Sequence, residues 1–205
     1  MRRKNLLLTL ILIIAIVAGA GAFLTTNPFL TPEGKGEDEV EAKNKIDFPI
    51  QLVLEDATTE QIMVSQLYEP GKVTILEFTF IGCASCEFLH QVGYLQEFYD
   101  QYKDKVEIVS IFVHNEYPEW VLEYKDQFNV NWKYLALGDG DLIIDLRLPT
   151  LFTHIFVDDK GIERLRNPAQ IEFVRQNYAK IIDLILSGQY DKLEKFGGVE
   201  VIEAG

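Results

Sequence analysis

The chain has 205 residues, with 32 acidic against 19 basic side chains and a formal net charge of −13. A surface this acidic favours solubility and excludes nucleic acid and anionic lipid headgroups as partners of the folded part. With its first stretch unsuited to packing, about 140 to 160 residues remain, enough for one domain with an adequate core.

Residues 1–24 begin with Arg2, Arg3 and Lys4 and continue as an uncharged run from Leu6 to Leu24. That is close to the roughly 20 residues a helix needs to span a bilayer. The basic start stays in the cytoplasm, so the rest of the chain lies outside. Two readings of this run stay open. A retained single-pass membrane anchor is favoured because the apolar run continues through Phe23 and Leu24; a cleaved signal peptide would use the small residues at 18–22. Residues 25–45 hold Pro28, Pro32, Gly34, Gly36 and a run of charges, and read as a flexible tether.

Segments 48–54 and 61–64 are expected to form a hairpin, and 65–72 a turn leading into 73–80. That segment is apolar apart from Thr74, Glu77 and Thr79, the pattern of a buried strand, and Gly82 ends it. Phe88, Leu89, Val92, Leu95, Phe98, Tyr99 and Tyr102 then recur at three- and four-residue spacing, which predicts one amphipathic helix. A second buried strand follows at 106–113, a helix at 117–128, a short strand at 132–137, a helical turn at 141–146 and a strand at 149–157. Asp158-Asp159-Lys160-Gly161 signals a hairpin turn with Gly161 at positive φ, returning as a strand at 162–166. Asn167, with Pro168 at a first helical position, predicts a helix through Leu186. Residues 188–205 form a tail holding a short helix at 190–196. The order predicts one α/β domain over 46–187, a central mixed sheet flanked by helices.

The only two cysteines, Cys83 and Cys86, stand where the first buried strand gives way to a helix. A first helical turn offers unpartnered N–H groups and the positive end of the dipole, which favours a reactive thiolate at Cys83. In a redox pair, Cys83 attacks and Cys86, one turn further in, resolves the mixed disulfide. A structural staple would close so short a loop that it adds only about 2 kcal/mol. A zinc site wants four ligands and no further cysteine exists, whereas copper(I) needs fewer. Its third ligand would be His114, since strand C-termini line the sites of open α/β sheets. His90, four residues after Cys86 on the same helix face, is expected at the surface or boundary. His154 is expected packed or hydrogen-bonded within a strand. Glu77 is the polar exception in its strand, six residues before Cys83.

Strand, short loop, Cys-X-X-Cys and helix resemble the thioredoxin superfamily over roughly residues 48–186. The lead-in hairpin is similar to the N-terminal extension of its extracytoplasmic TlpA/ResA-like members. The resemblance implies a thioredoxin-like fold and a thiol-disulfide oxidoreductase acting on extracytoplasmic proteins with cysteine pairs, coupled to a membrane electron donor or acceptor. It implies no cofactor beyond a redox-active Cys83–Cys86 disulfide. It also implies that Glu77 lies beneath Cys86 and exchanges a proton with it, its pKa raised by burial. Such sites carry a cis-proline opposite the cysteines that shapes the groove; Leu148-Pro149-Thr150-Leu151 is the candidate, and X-Pro bonds tolerate the cis form. In the usual register, however, Phe152-Thr153 would take the proline's place. Ile81-Gly82 stands where the family has a tryptophan, and Ala84-Ser85 between the cysteines leaves the direction of transfer open. The nearest alternative resemblance is to the Sco-type copper chaperones, with Cys83, Cys86 and His114 holding copper(I). Those carry Cys-X-X-X-Cys, and a histidine where this chain has Pro149-Thr150.

Overall fold

The computed structural model describes residues 44–115 and 117–197. The apolar segment 1–24, most of the tether 25–45 and the tail beyond 197 lie outside the described residues. Among the described residues, no helix is long and apolar enough to cross a membrane.

Seven strands form one sheet: β1 (Pro49–Val53), β2 (Thr59–Met63), β3 (Val73–Thr79), β4 (Val106–Val113), β5 (Tyr134–Gly138), β6 (Thr153–Val157) and β7 (Glu163–Pro168). Their order across the sheet is β2-β1-β5-β4-β3-β6-β7. β3 and β4 run parallel, as do β4 and β5, while β6 lies antiparallel to β3 and β7 antiparallel to β6. Every residue of β3, β4 and β6 is buried, as their near-continuous apolar runs predict. The helices are α1 (Ala84–Val92), α2 (Tyr94–Tyr102), α3 (Pro118–Phe128), α4 (Leu142–Asp145) and α5 (Ile171–Leu186).

Side chains alternate across a strand, so the central strands feed two cores. Ile75, Ile108 and Phe156 join Leu89, Phe98, Tyr124 and Tyr178 from the helices on one face. Leu76, Phe78, Val109, Ile111, Ile155 and Val157 pack on the other face with Phe48, Val64 and Leu142. Each fully buried Leu, Ile or Phe stabilises the fold by about 1.5–3 kcal/mol. A 3-10 turn at Tyr190–Phe196 seats Leu193 and Phe196 in the helix-side core.

Three elements differ from the sequence expectation. The single helix expected after Cys86 is two, because Gly93 adopts φ 75° and caps α1 while opening α2. The apolar spacing runs on through the break because both helices face the same core. The strand expected from 149 starts only at Thr153. Pro149 has no N–H for a ladder, and Thr150 Oγ1 to the Phe152 carbonyl (2.8 Å) and Thr153 Oγ1 to the Thr150 carbonyl (2.7 Å) tie the segment into a turn. Pro168 does not open a helix: it ends β7 opposite Thr153, and α5 starts at Ile171. Gly161 has the expected positive φ, 84°.

Candidate redox site

Cys83 is the N-cap of α1 and is disulfide-bonded to Cys86, with Cα atoms 5.3 Å apart. The Cys86 N–H donates to Cys83 Sγ at 3.2 Å, so one orphan donor of the helix N-terminus is aimed at the sulfur. Cys83 keeps 9% exposure and Cys86 none. The loop before them is held by main-chain donors: Ile81 N–H to Asn115 Oδ1 at 3.2 Å and Gly82 N–H to Glu87 Oε1 at 2.8 Å. Asn115 follows β4 by two residues, so the loop is tied to the C-terminal edge of the sheet.

On the helix-facing side of the sheet, polar residues form a rung. Glu77 on β3 is paired with Ser110 on β4 and with His154 on β6, and His154 with Asn167 on β7. Glu77 is fully buried, and its carboxylate is surrounded. His90 Nε2 lies 2.8 Å from Oε1, the Ser110 hydroxyl donates to Oε2 through a short hydrogen bond, and His154 Nε2 stands 3.6 Å from Oε1. The Trp132 indole N–H donates to Ser110 Oγ at 2.8 Å, which turns the serine proton toward Glu77. Tyr178 on α5 hydrogen-bonds His154 Nδ1. Burial pushes the Tyr178 hydroxyl well above its ordinary pKa, so it stays protonated.

These contacts correct the expectation for Glu77. Burial does act to raise its carboxyl pKa, but charge and hydrogen bonds from His90 and His154 outweigh burial and hold it well below the usual carboxylate range. Glu77 is therefore ionised and bound to histidines rather than a neutral acid waiting beneath Cys86. His90 is 2% exposed, not at the surface or boundary, because α1 turns it inward over the rung. It stands one helical turn from Cys86, on the same face. The rings of Tyr124, Phe128 and Trp132 surround it, with centroids 5.5, 6.3 and 5.6 Å away.

Pro149 is placed differently from the expectation. No peptide bond among the described residues is cis, so the Leu148–Pro149 bond is trans. Thr153, opposite Phe78, leads β6, which puts Phe152-Thr153 at the strand entry and Pro149 three residues before Phe152. His114 is exposed just past β4 at φ 62°, its ring packed against the Gly140 backbone. The set Cys83, Cys86 and His114 is not gathered as ligands: among the described residues no three His, Cys, Asp or Glu side chains form a group that could hold a metal.

Sequence reasoning identified Cys83, Cys86 and Glu77 but missed Ser110, Trp132, Tyr178 and the inward turn of His90. The available signal was the polar residue at matching register in each of three buried strands.

No family model matches the chain. It is 29% identical over 184 residues to the thiol-disulfide oxidoreductase ResA of Bacillus thuringiensis subsp. konkukian, covering 87% of this chain and 98% of that one. The ResA of Bacillus cereus is 28% identical over the same shares. Among solved structures, the thiol:disulfide interchange protein DsbE of Chlorobium tepidum superposes with a TM-score of 0.57 at 14% identity, over 70% of this chain and 95% of that one. A thioredoxin-like protein from Porphyromonas gingivalis gives 0.54 at 18% identity, over 67% and 90%. These structures show that the fold is thioredoxin-like.

Proposed function

We infer that this chain is a ResA-like thiol-disulfide oxidoreductase of the thioredoxin superfamily. One observation carries the inference: a bonded Cys-X-X-Cys at a helix N-terminus, Cys83 keeping 9% exposure and Cys86 none, on a chain that follows ResA proteins over nearly their whole length. The Cys83–Cys86 disulfide is the redox group, and the reaction uses no further cofactor.

In this reading Cys83 is the nucleophile, because it alone keeps exposure and receives a helix N–H on its sulfur. Cys86 resolves the mixed disulfide. Glu77 serves the proton exchange of Cys86. The turn containing Pro149 forms one wall of the substrate groove, and Phe88, Tyr117 and Trp120, each about half exposed, offer apolar surface to a protein substrate. The basic start and apolar run of residues 1–24 anchor the protein in the membrane, residues 25–45 tether it, and the domain faces outward. Its substrates are extracytoplasmic proteins with cysteine pairs, and its electrons pass to or from a membrane partner.

The test is an equilibrium redox titration of the full-length protein, with both cysteines followed by thiol trapping. A reversible two-electron transition is expected, lost in Cys83→Ser. A midpoint near thioredoxin's, about −270 mV, marks a reductant, and one near DsbA's, about −120 mV, an oxidant. Absence of any reversible transition, or exchange activity that survives Cys83→Ser, overturns the reading.

A further inference from the structure

The resolving cysteine poses a proton problem. Cys86 has no exposure, so a base within the protein must take its proton before it can attack. Glu77 is already occupied by Ser110 and His90 on its two oxygens. His90 is not fully occupied: its Nε2 faces Glu77, while its Nδ1 is buried and has no partner. When the ring is neutral, with Nε2–H donated to the carboxylate, Nδ1 offers a free lone pair. Helix side chains lean toward the N-terminus, which tilts this imidazole back toward Cys86 one turn earlier.

We propose that His90 Nδ1 is the acceptor of the Cys86 proton, and that Glu77 is a positioning residue that sets the ring's tautomer and stabilises its charged form. The proposal rests on the oxidoreductase reading and deepens it. In the resolving step the Cys86 Sγ–H bond breaks and its proton passes to Nδ1, directly or through one water. The freed electron pair forms the Cys86–Cys83 bond. The bond from Cys83 to the substrate sulfur breaks, and its electron pair leaves on the substrate thiolate, which takes a proton from solvent. The two protein sulfurs lose two electrons and the substrate disulfide gains them.

The imidazolium that results is matched to its surroundings. Glu77 offsets its charge at 2.8 Å. The titratable groups around the ring are Glu77 from β3 and Tyr124 from α3, with His154 from β6 on the same Glu77 oxygen, Tyr178 of α5 bonded to His154, and Glu87 in the cleft that His90 lines; Cys86 stands one turn earlier on its own helix. An open cleft lined by His90, Glu87, Gln96, Glu97, Asp100 and Phe128 joins this region to solvent.

The experiment loads Cys83 of the reduced full-length protein as a mixed disulfide with thionitrobenzoate and reads release of the dye by Cys86 between pH 5.5 and 8.5. Wild-type release is expected to vary little from pH 6 to 8. In His90→Gln it falls about 100-fold at pH 7, the scale of a lost general base, and climbs about tenfold per pH unit as solvent must remove the proton. Glu77→Gln also slows release, and the double variant is no slower than His90→Gln because the two act as a unit. His90→Gln with the wild-type rate and pH profile overturns the proposal, as does a double variant whose losses multiply. If wild-type protein never releases the dye, the oxidoreductase reading falls instead. Nitrogen NMR of the unmutated protein gives a check independent of folding: His90 carries both ring protons when the cysteines are bonded and only Nε2–H when they are reduced, and the same state in both forms overturns the assignment.

Discussion

The two faces of the central sheet are made by the same three strands and do opposite things. Leu76, Phe78, Val109, Ile111, Ile155 and Val157 turn one way into a mainly apolar layer. Glu77, Ser110 and His154 turn the other way and meet side by side, closed over by His90, Trp132 and Tyr178 from the helices and loops. The apolar face gains stability from each buried group. The polar rung gains little net stability, because desolvating a carboxylate costs several kcal/mol that its partners only offset. What it provides is an ionised group bound to His90, which stands one helical turn from the buried sulfur.

Removing the centre of the rung has the largest effect on stability. Glu77→Ala is expected to lower it by about 4 kcal/mol in denaturant unfolding, because His90, His154 and Ser110 lose their shared partner inside the core. Its pH dependence follows from the depressed carboxyl. The stability due to ionised Glu77 is complete above the unfolded carboxyl pKa, about 4.3, and drains away as pH falls from there toward its lower folded value. Glu77→Gln should therefore flatten the acid limb of the stability profile between about pH 5 and 2; an unchanged limb would assign it to other carboxylates.

On the opposite face, Leu76→Ala deletes a fully buried side chain and should cost about 3 kcal/mol. Its redox midpoint and the pH profile of dye release should stay at wild-type values. A shifted profile would mean that the two faces are coupled and the contrast between them is false.

The smallest effect is expected at Gly93→Ala, between α1 and α2. A Cβ there meets nothing within 4 Å, so the cost is that of the left-handed conformation alone, about 1 kcal/mol. Thermal unfolding would register it, while thiol exchange should not change, since α1 ends before that position.

The amino-acid order alone determined the strand-loop-helix around Cys83, the burial of β3 and β4, and the hairpin turn at Gly161. Each rests on local periodicity, a breaker residue or a turn preference that acts within a few positions. Glu77 stood out for the same reason, as a charge in a buried run. Its electrical state was not legible there, because burial alone argues for a raised pKa and the groups that reverse it, His90 and His154, lie 13 and 77 residues away in the chain. Only strand register, which sets Ser110 and His154 beside Glu77, and the packing of α1, which turns His90 onto it, decided that this carboxyl is ionised. Pro149 shows the same limit: its dipeptide looked like the groove element, but hydrogen bonds in the tertiary turn set the start of β6 at Thr153. Local sequence sets which elements form, and long-range contacts set the charge and aim of the groups they carry.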